Sequence, residues 1–189
     1  MTLTALGLAL ILLLLTPGPT NTLILLAAAE RGFMRALSLI PVELAAYLAV
    51  IVPLALLSDA LADQIGILRP IAAALAGAWV LYLAWSMWRF GTDASATGTV
   101  SPRRLAVTTL LNPKALVMGL VLIPGAGGSV EAFGVLALSI VIVALVWAAA
   151  GCCLPRPTDG TGVPPILPRL AALWLAGLSV LIVAGGLSA

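Results

Sequence analysis

The chain has 189 residues, of which 62% are apolar and 8% charged, with a formal net charge of +2 and no histidine. An ordinary soluble domain carries about 25% charged residues, so this balance excludes one and points to an integral membrane protein. Residues 1–189 leave no length for a soluble domain beside the membrane part and read as a single membrane domain.

A bilayer core about 30 Å thick takes roughly 20 apolar residues of helix at about 1.5 Å per residue. In chain order the apolar spans are Leu3 to Ala28, Ala36 to Leu57, Leu68 to Trp88, Leu105 to Pro124, Ala132 to Cys153 and Ile166 to Leu187, which makes six helices. The gaps between them are short and polar, and the proline-rich stretch from Pro155 to Pro168 is a connector. The first span resembles the apolar core of a signal peptide, but no Lys or Arg precedes Arg31, so it is expected to be retained. Cys152 and Cys153 are adjacent, which suits neither a metal pair nor an unstrained disulfide and leaves them as small apolar filler.

Basic residues fall on one side of this plan. Arg31 and Arg35 lie in the first gap, Arg89, Arg103 and Arg104 in or beside the third with Lys114 near it, and Arg156 and Arg169 in the fifth; the other side has only Arg69. Short cytoplasmic loops accumulate Lys and Arg, so the odd-numbered loops are expected inside and both termini outside.

The first span is interrupted by "LLLLTPGPTN" and the fourth by "TTLLNPKALVMG". Three spans per half put the second half in the membrane upside down relative to the first, with halves of about 1–92 and 103–189. The expected fold is therefore all-α and polytopic, a 3+3 inverted repeat with helices 1 and 4 broken, although no residue-level identity links the halves.

Pro17 and Pro19 lack N–H groups and crowd the carbonyls four residues back, which should orphan those of Leu13 and Leu15. Backbone opened at this depth must face protein, water or a ligand. A new helix starting at Thr20, Asn21 and Thr22 would offer N–H groups to a carboxylate, while the carbonyls before the break would suit an ammonium. A zwitterion fits both ends; a plain proline kink sealed by neighbouring groups is the alternative.

Glu43 stands about seven residues inside the second span, or roughly 10 Å deep, a depth similar to that of Pro17. A carboxylate at the middle of a spanning helix costs about 2.5–3.5 kcal/mol. Protonating a glutamate at neutral pH costs about 3.7 kcal/mol, from a reference pKa near 4.3. The two nearly cancel, so small changes in hydration would switch the group, as a proton carrier requires. The competing reading is a structural glutamate that snorkels or hydrogen-bonds. In the fourth span Asn112 and Pro113 are read as site-forming. Three roles stand open for Lys114, the only lysine: pairing with Glu43, binding a substrate carboxylate, or snorkelling to the surface, the last being the default.

"TPGPTNTLILLAAAERGFMRAL", the acid of "PVELAAYL", "LAGAWVLYLAW" and "LLNPKALVMG" occur in the order and spacing of the lysine exporter (LysE/RhtB) superfamily, which the chain resembles over nearly its whole length. Pro17-Gly18-Pro19 and Asn112-Pro113-Lys114 are the most specific parts. The resemblance implies six helices, a bacterial inner-membrane location and proton-coupled export of amino acids or related metabolites. On the reading of the breaks and of Glu43 given above, Thr16, Pro17, Gly18, Pro19, Thr20, Asn21, Asn112, Pro113 and Lys114 are the candidate substrate-binding residues and Glu43 the candidate proton-coupling residue. The chain departs from the family pattern at Val42-Glu43, where Gly-Asp is common, at Ala36, at Val80 and in "LIPGAGG", and these departures bear on the substrate.

An enzyme would need a nucleophile or metal site facing water, but the chain has no His, no CxxC and no clustered carboxylates; no metal and no cofactor are expected. A non-transporting membrane subunit or assembly partner is the alternative to an exporter. The expected partners are a small zwitterionic or carboxylate-bearing solute, protons and the lipid bilayer, without nucleic acid and with room for a homodimer.

Overall fold

A computed structural model describes residues 1–58 and 100–154, together with part of the helical residues between 74 and 88 and between 169 and 180. Among the described residues every regular element is helical and none is a strand. The elements with defined ends are α1 (Leu3–Leu15), α2 (Pro19–Arg31), α3 (Phe33–Leu37), α4 (Ile40–Leu56), α5 (Pro102–Leu110), α6 (Pro113–Val117), a π-helical segment (Met118–Leu122), α7 (Ile123–Gly125) and α8 (Val130–Cys152).

Local chemistry explains where they begin. Thr2, Ser101 and Ser129 each accept a hydrogen bond from a first-turn N–H of α1, α5 and α8, from Ala5, Arg104 and Ala132. Proline stands in the first turn of α2, α4, α5 and α6, where its missing N–H removes nothing. Gly32 ends α2 with φ +82° and ψ 173°, a conformation essentially confined to glycine, and its N–H returns to the Ala28 carbonyl.

Phe33–Leu56 and Val130–Cys152 are long and apolar enough to cross a membrane. The expected first and fourth spans are both broken: α1 and α2 meet at 66°, and Pro102–Leu110 meets Pro113–Gly125 at 46°. Counting each bent pair as one span gives up to four among the described residues. The expected third and sixth spans lie largely outside the described residues, but Ser179 Oγ donates to the Gly77 carbonyl at 2.9 Å and so joins their described parts.

The long α8 runs beside the whole broken first span and in the same direction. A Cβ built on Gly7, early in α1, would touch Val135, early in α8, and Gly151, at the end of α8, lies on Leu25 and Ala28 of α2. Likewise α4 runs parallel to the second broken segment, with Tyr47 bonded to Asn112 and Ile51 backing Gly119. The N-terminal ammonium donates to the Gly125 carbonyl at 2.9 Å, which puts Met1 at the same end as the turn after α7. At the opposite end Glu30 interacts electrostatically with Arg31 and Arg104, so the first loop and the start of α5 share a side. The expected pairing of odd loops at one end thus holds for the loops around Arg31 and Arg104.

Two apolar clusters result. One gathers Leu23, Ile24, Ala27, Ala36, Leu39 and Leu105 near the basic end; the other gathers Leu6, Leu10, Tyr47, Ile51, Met118 and Leu136 toward the N-terminus. The break at Thr16–Gly18 falls where they meet.

Gly151 allows α8 to approach α2 so closely that a Cβ there would collide with the Leu25 carbonyl. Backbone cannot swing aside as a side chain can, so Gly151→Ala is expected to cost about 1–3 kcal/mol. Gly134→Ala on the same helix, where a Cβ meets nothing within 4 Å, should be neutral or slightly stabilising. Thermal unfolding of the two purified variants in detergent checks this; equal midpoints would mean α2 and α8 do not pack at Gly151.

Candidate functional site at the crossing of two broken helices

The first break opens at Thr16, the residue before Pro17. A residue before proline is pushed out of the helical region, and Thr16 turns to φ −56°, ψ 131°, so that α1 ends at Leu15. Side chains take up the carbonyls of Leu13, Leu14 and Thr16: Leu13 is one of the two expected to be orphaned, and Leu14 and Thr16 add to the expected pair. Thr16 Oγ1 donates to Leu13 O at 2.6 Å. Asn21 Nδ2 reaches back across the break to Leu14 O at 2.7 Å and Thr16 O at 3.1 Å.

The second set of donors comes from far along the chain. Lys114 Nζ donates to Leu14 O at 3.1 Å and also to Thr16 O. The default expectation of snorkelling is therefore overturned. The ammonium turns inward because the C-terminal end of α1 carries partial negative charge on carbonyls that its own helix cannot satisfy. Pro113 places the lysine there by opening the second segment, with Asn112 as the N-cap of α6 and its Oδ1 accepting from Lys114 N at 3.1 Å.

Asn112 joins three elements. Its Nδ2 donates to Thr20 Oγ1 at 3.0 Å and to Tyr47 OH at 2.8 Å, linking the start of α2, the middle of α4 and the gap between α5 and α6. Thr20, Asn21, Tyr47 and Asn112 are all buried, whereas Thr16 and Pro17 are exposed at the mouth of the break. Gly18 caps α2 without a side-chain oxygen, and Pro19 has no N–H to offer. The early N–H groups of α2 are thus left without a side-chain cap, the condition that favours an anion at a helix start.

Glu43 is 3% exposed and its Oε2 has no hydrogen-bond partner. It interacts electrostatically with Lys114 and with Tyr47, one helical turn along α4. A buried carboxyl oxygen without a partner is costly.

Of the expected site residues, Thr16, Thr20, Asn21, Asn112 and Lys114 are brought together by hydrogen bonds. Gly18 lies against Lys114, Glu43 is tied in through Lys114 and Tyr47, and Pro17, Pro19 and Pro113 act by opening the backbone. Tyr47 was not among the expected residues; its signal is the four-residue spacing from Glu43, which puts both on one helix face. Among the described residues no group of His, Cys, Asp or Glu side chains could hold a metal ion.

Gly18 has φ −163° and ψ 174°, extended backbone that any residue adopts, so its importance is spatial. A Cβ there would sit 3.4 Å from Lys114 Nζ and 3.5 Å from its Cε, ordinary contact distances. Gly18→Ala should leave Lys114 in place, and the branched Gly18→Val should push it off the carbonyls. Because Lys114 is the only lysine, its acylation rate is readable by mass spectrometry. The rate should rise several-fold in Gly18→Val alone, and equal rates in wild type and Gly18→Val would remove Gly18 from the site.

No protein-family model, curated protein or solved structure matches this chain, so what the crossing does has to be read from its own residues.

Proposed function

We propose that the chain is a secondary active exporter of amino acids or related small polar metabolites, of the lysine exporter (LysE/RhtB) kind, with Glu43 as its proton carrier. The observation that carries this reading is the meeting of two broken helices through Asn112 and Thr20 beside a buried carboxyl with an open oxygen. Discontinuous helices facing each other near the middle of a membrane supply a polar solute with helix ends of both signs. In this chain the start of α2 suits a carboxylate and the end of α1 an ammonium.

In this reading the two bent segments open two inverted halves of three spans each, about 1–92 and 103–189. The protein lies in the bacterial inner membrane with the loops of Arg31, Arg35, Arg103 and Arg104 in the cytoplasm and both termini outside. Glu43 takes a proton when the site faces outside and releases it inside, exchanging one entering proton for one leaving solute. Its position supports the cycle because neither form is fully satisfied: the ionised form lacks a partner at Oε2, and the neutral form gives up its attraction to Lys114.

Glu43→Gln keeps size and hydrogen bonding but cannot titrate. Inverted vesicles are loaded from outside with radiolabelled amino acids, with and without an acidic lumen. Wild type should accumulate its substrate only with the pH gradient, and Glu43→Gln should equilibrate the same substrate without concentrating it. A variant that answers the gradient as wild type does would leave Glu43 a structural glutamate.

A further inference from the structure

Lys114 occupies the position that the break in α1 offers to a cation. Its ammonium sits on the carbonyls of Leu14 and Thr16, which use two of its three donors. Asn21 donates to the same two carbonyls from α2, so the pair is held in place by the fold around it and does not depend on the lysine for its geometry. The lysine also has somewhere else to go: Glu43, its electrostatic neighbour, keeps Oε2 unpartnered at 3% exposure. One half-buried ammonium thus has two sets of acceptors, one filled and one open.

We propose that Lys114 is a tethered occupant of an ammonium site, which a solute's own N–H-bearing ammonium displaces by moving Lys114 from the carbonyls of Leu14 and Thr16 toward Glu43. The inference rests on the export reading for its purpose, but the site itself is a matter of binding. After displacement each ammonium still has acceptors, since the incoming one takes the carbonyls as the lysine takes the open carboxyl oxygen of Glu43. It also makes the site discriminating. A quaternary ammonium has no N–H to give the carbonyls and cannot replace the lysine, and a neutral or purely anionic solute leaves the plug in place.

A tethered competitor acts at an effective concentration in the millimolar range or above. Removing it should tighten the apparent affinity for a free competitor by at least about tenfold. The test titrates purified wild type and Lys114→Ala with methylammonium, with tetramethylammonium as the control, and reads the shift of the thermal unfolding midpoint. The methylammonium curve of Lys114→Ala should lie at least tenfold below that of wild type in concentration, and tetramethylammonium should not separate the two proteins. Coincident methylammonium curves, or equal responses to both cations, would overturn the proposal.

If Lys114→Ala does not accumulate as folded protein, the wild type gives a second reading. The 15N signal of its single lysine ammonium should shift on titration with methylammonium and not with tetramethylammonium, and an unmoved signal overturns the proposal. Both measurements are equilibrium binding, so a chain that moved no solute but bound methylammonium in this way would sink the export reading alone.

Discussion

A backbone carbonyl without a partner costs several kcal/mol in hydrocarbon, and the end of α1 presents several of them in the middle of an apolar protein. The arrangement of the site follows from that debt. Asn21 seals part of it from the next helix, but its two N–H donors are both committed to Leu14 and Thr16. Lys114 adds a second donor to the same two carbonyls, and it can do so only because the second segment is also opened, at Asn112 and Pro113, so that the first turn of α6 faces the break. The two interruptions are complementary: one exposes acceptors, the other delivers a donor. Asn112 then fixes α4 through Tyr47, which carries Glu43 on the same face.

This coupling sets a carboxyl and an ammonium in electrostatic interaction without spending either on the other. A buried ion pair formed once and for all is inert, whereas a carboxyl with an open oxygen beside an ammonium held elsewhere leaves a choice of partners. Close by, the chain runs through a π-helical segment, Met118–Leu122, in which Gly119 rests against Ile51 of α4. Such segments concentrate at functional positions, and this one joins the site to the face of α4 that bears Tyr47 and Ile51. A shift of the second segment past α4 would move Lys114 and the turn after α7 together.

Much of this was legible in the residues. The breaks were visible because proline lacks an N–H wherever it stands, and Glu43 because a lone acid in an apolar run has few innocent explanations. The direction of Lys114 was not legible: a lysine near a helix end reaches either the surface or an interior acceptor, and only the position of α1 decides. The carbonyls of Leu14 and Thr16 were not legible as acceptors because their donors come from side chains across the break and from the second segment. Tyr47 was not singled out, because its partner Asn112 is 65 residues away. The π-helical segment has no composition that marks it.

The central claim is that the crossing of the two broken helices is a path for a small zwitterion, made by this chain alone. Reconstitution of the purified chain into proteoliposomes, with no other protein present, tests it through counterflow of labelled amino acids against unlabelled ones trapped inside. The account expects at least one amino acid to exchange well above protein-free vesicles, and the exchange to vanish in Asn112→Leu, which cuts the link between the breaks. Vesicles with the wild-type chain that exchange no amino acid above the protein-free level would contradict it and make the crossing a structural joint of a non-transporting membrane subunit.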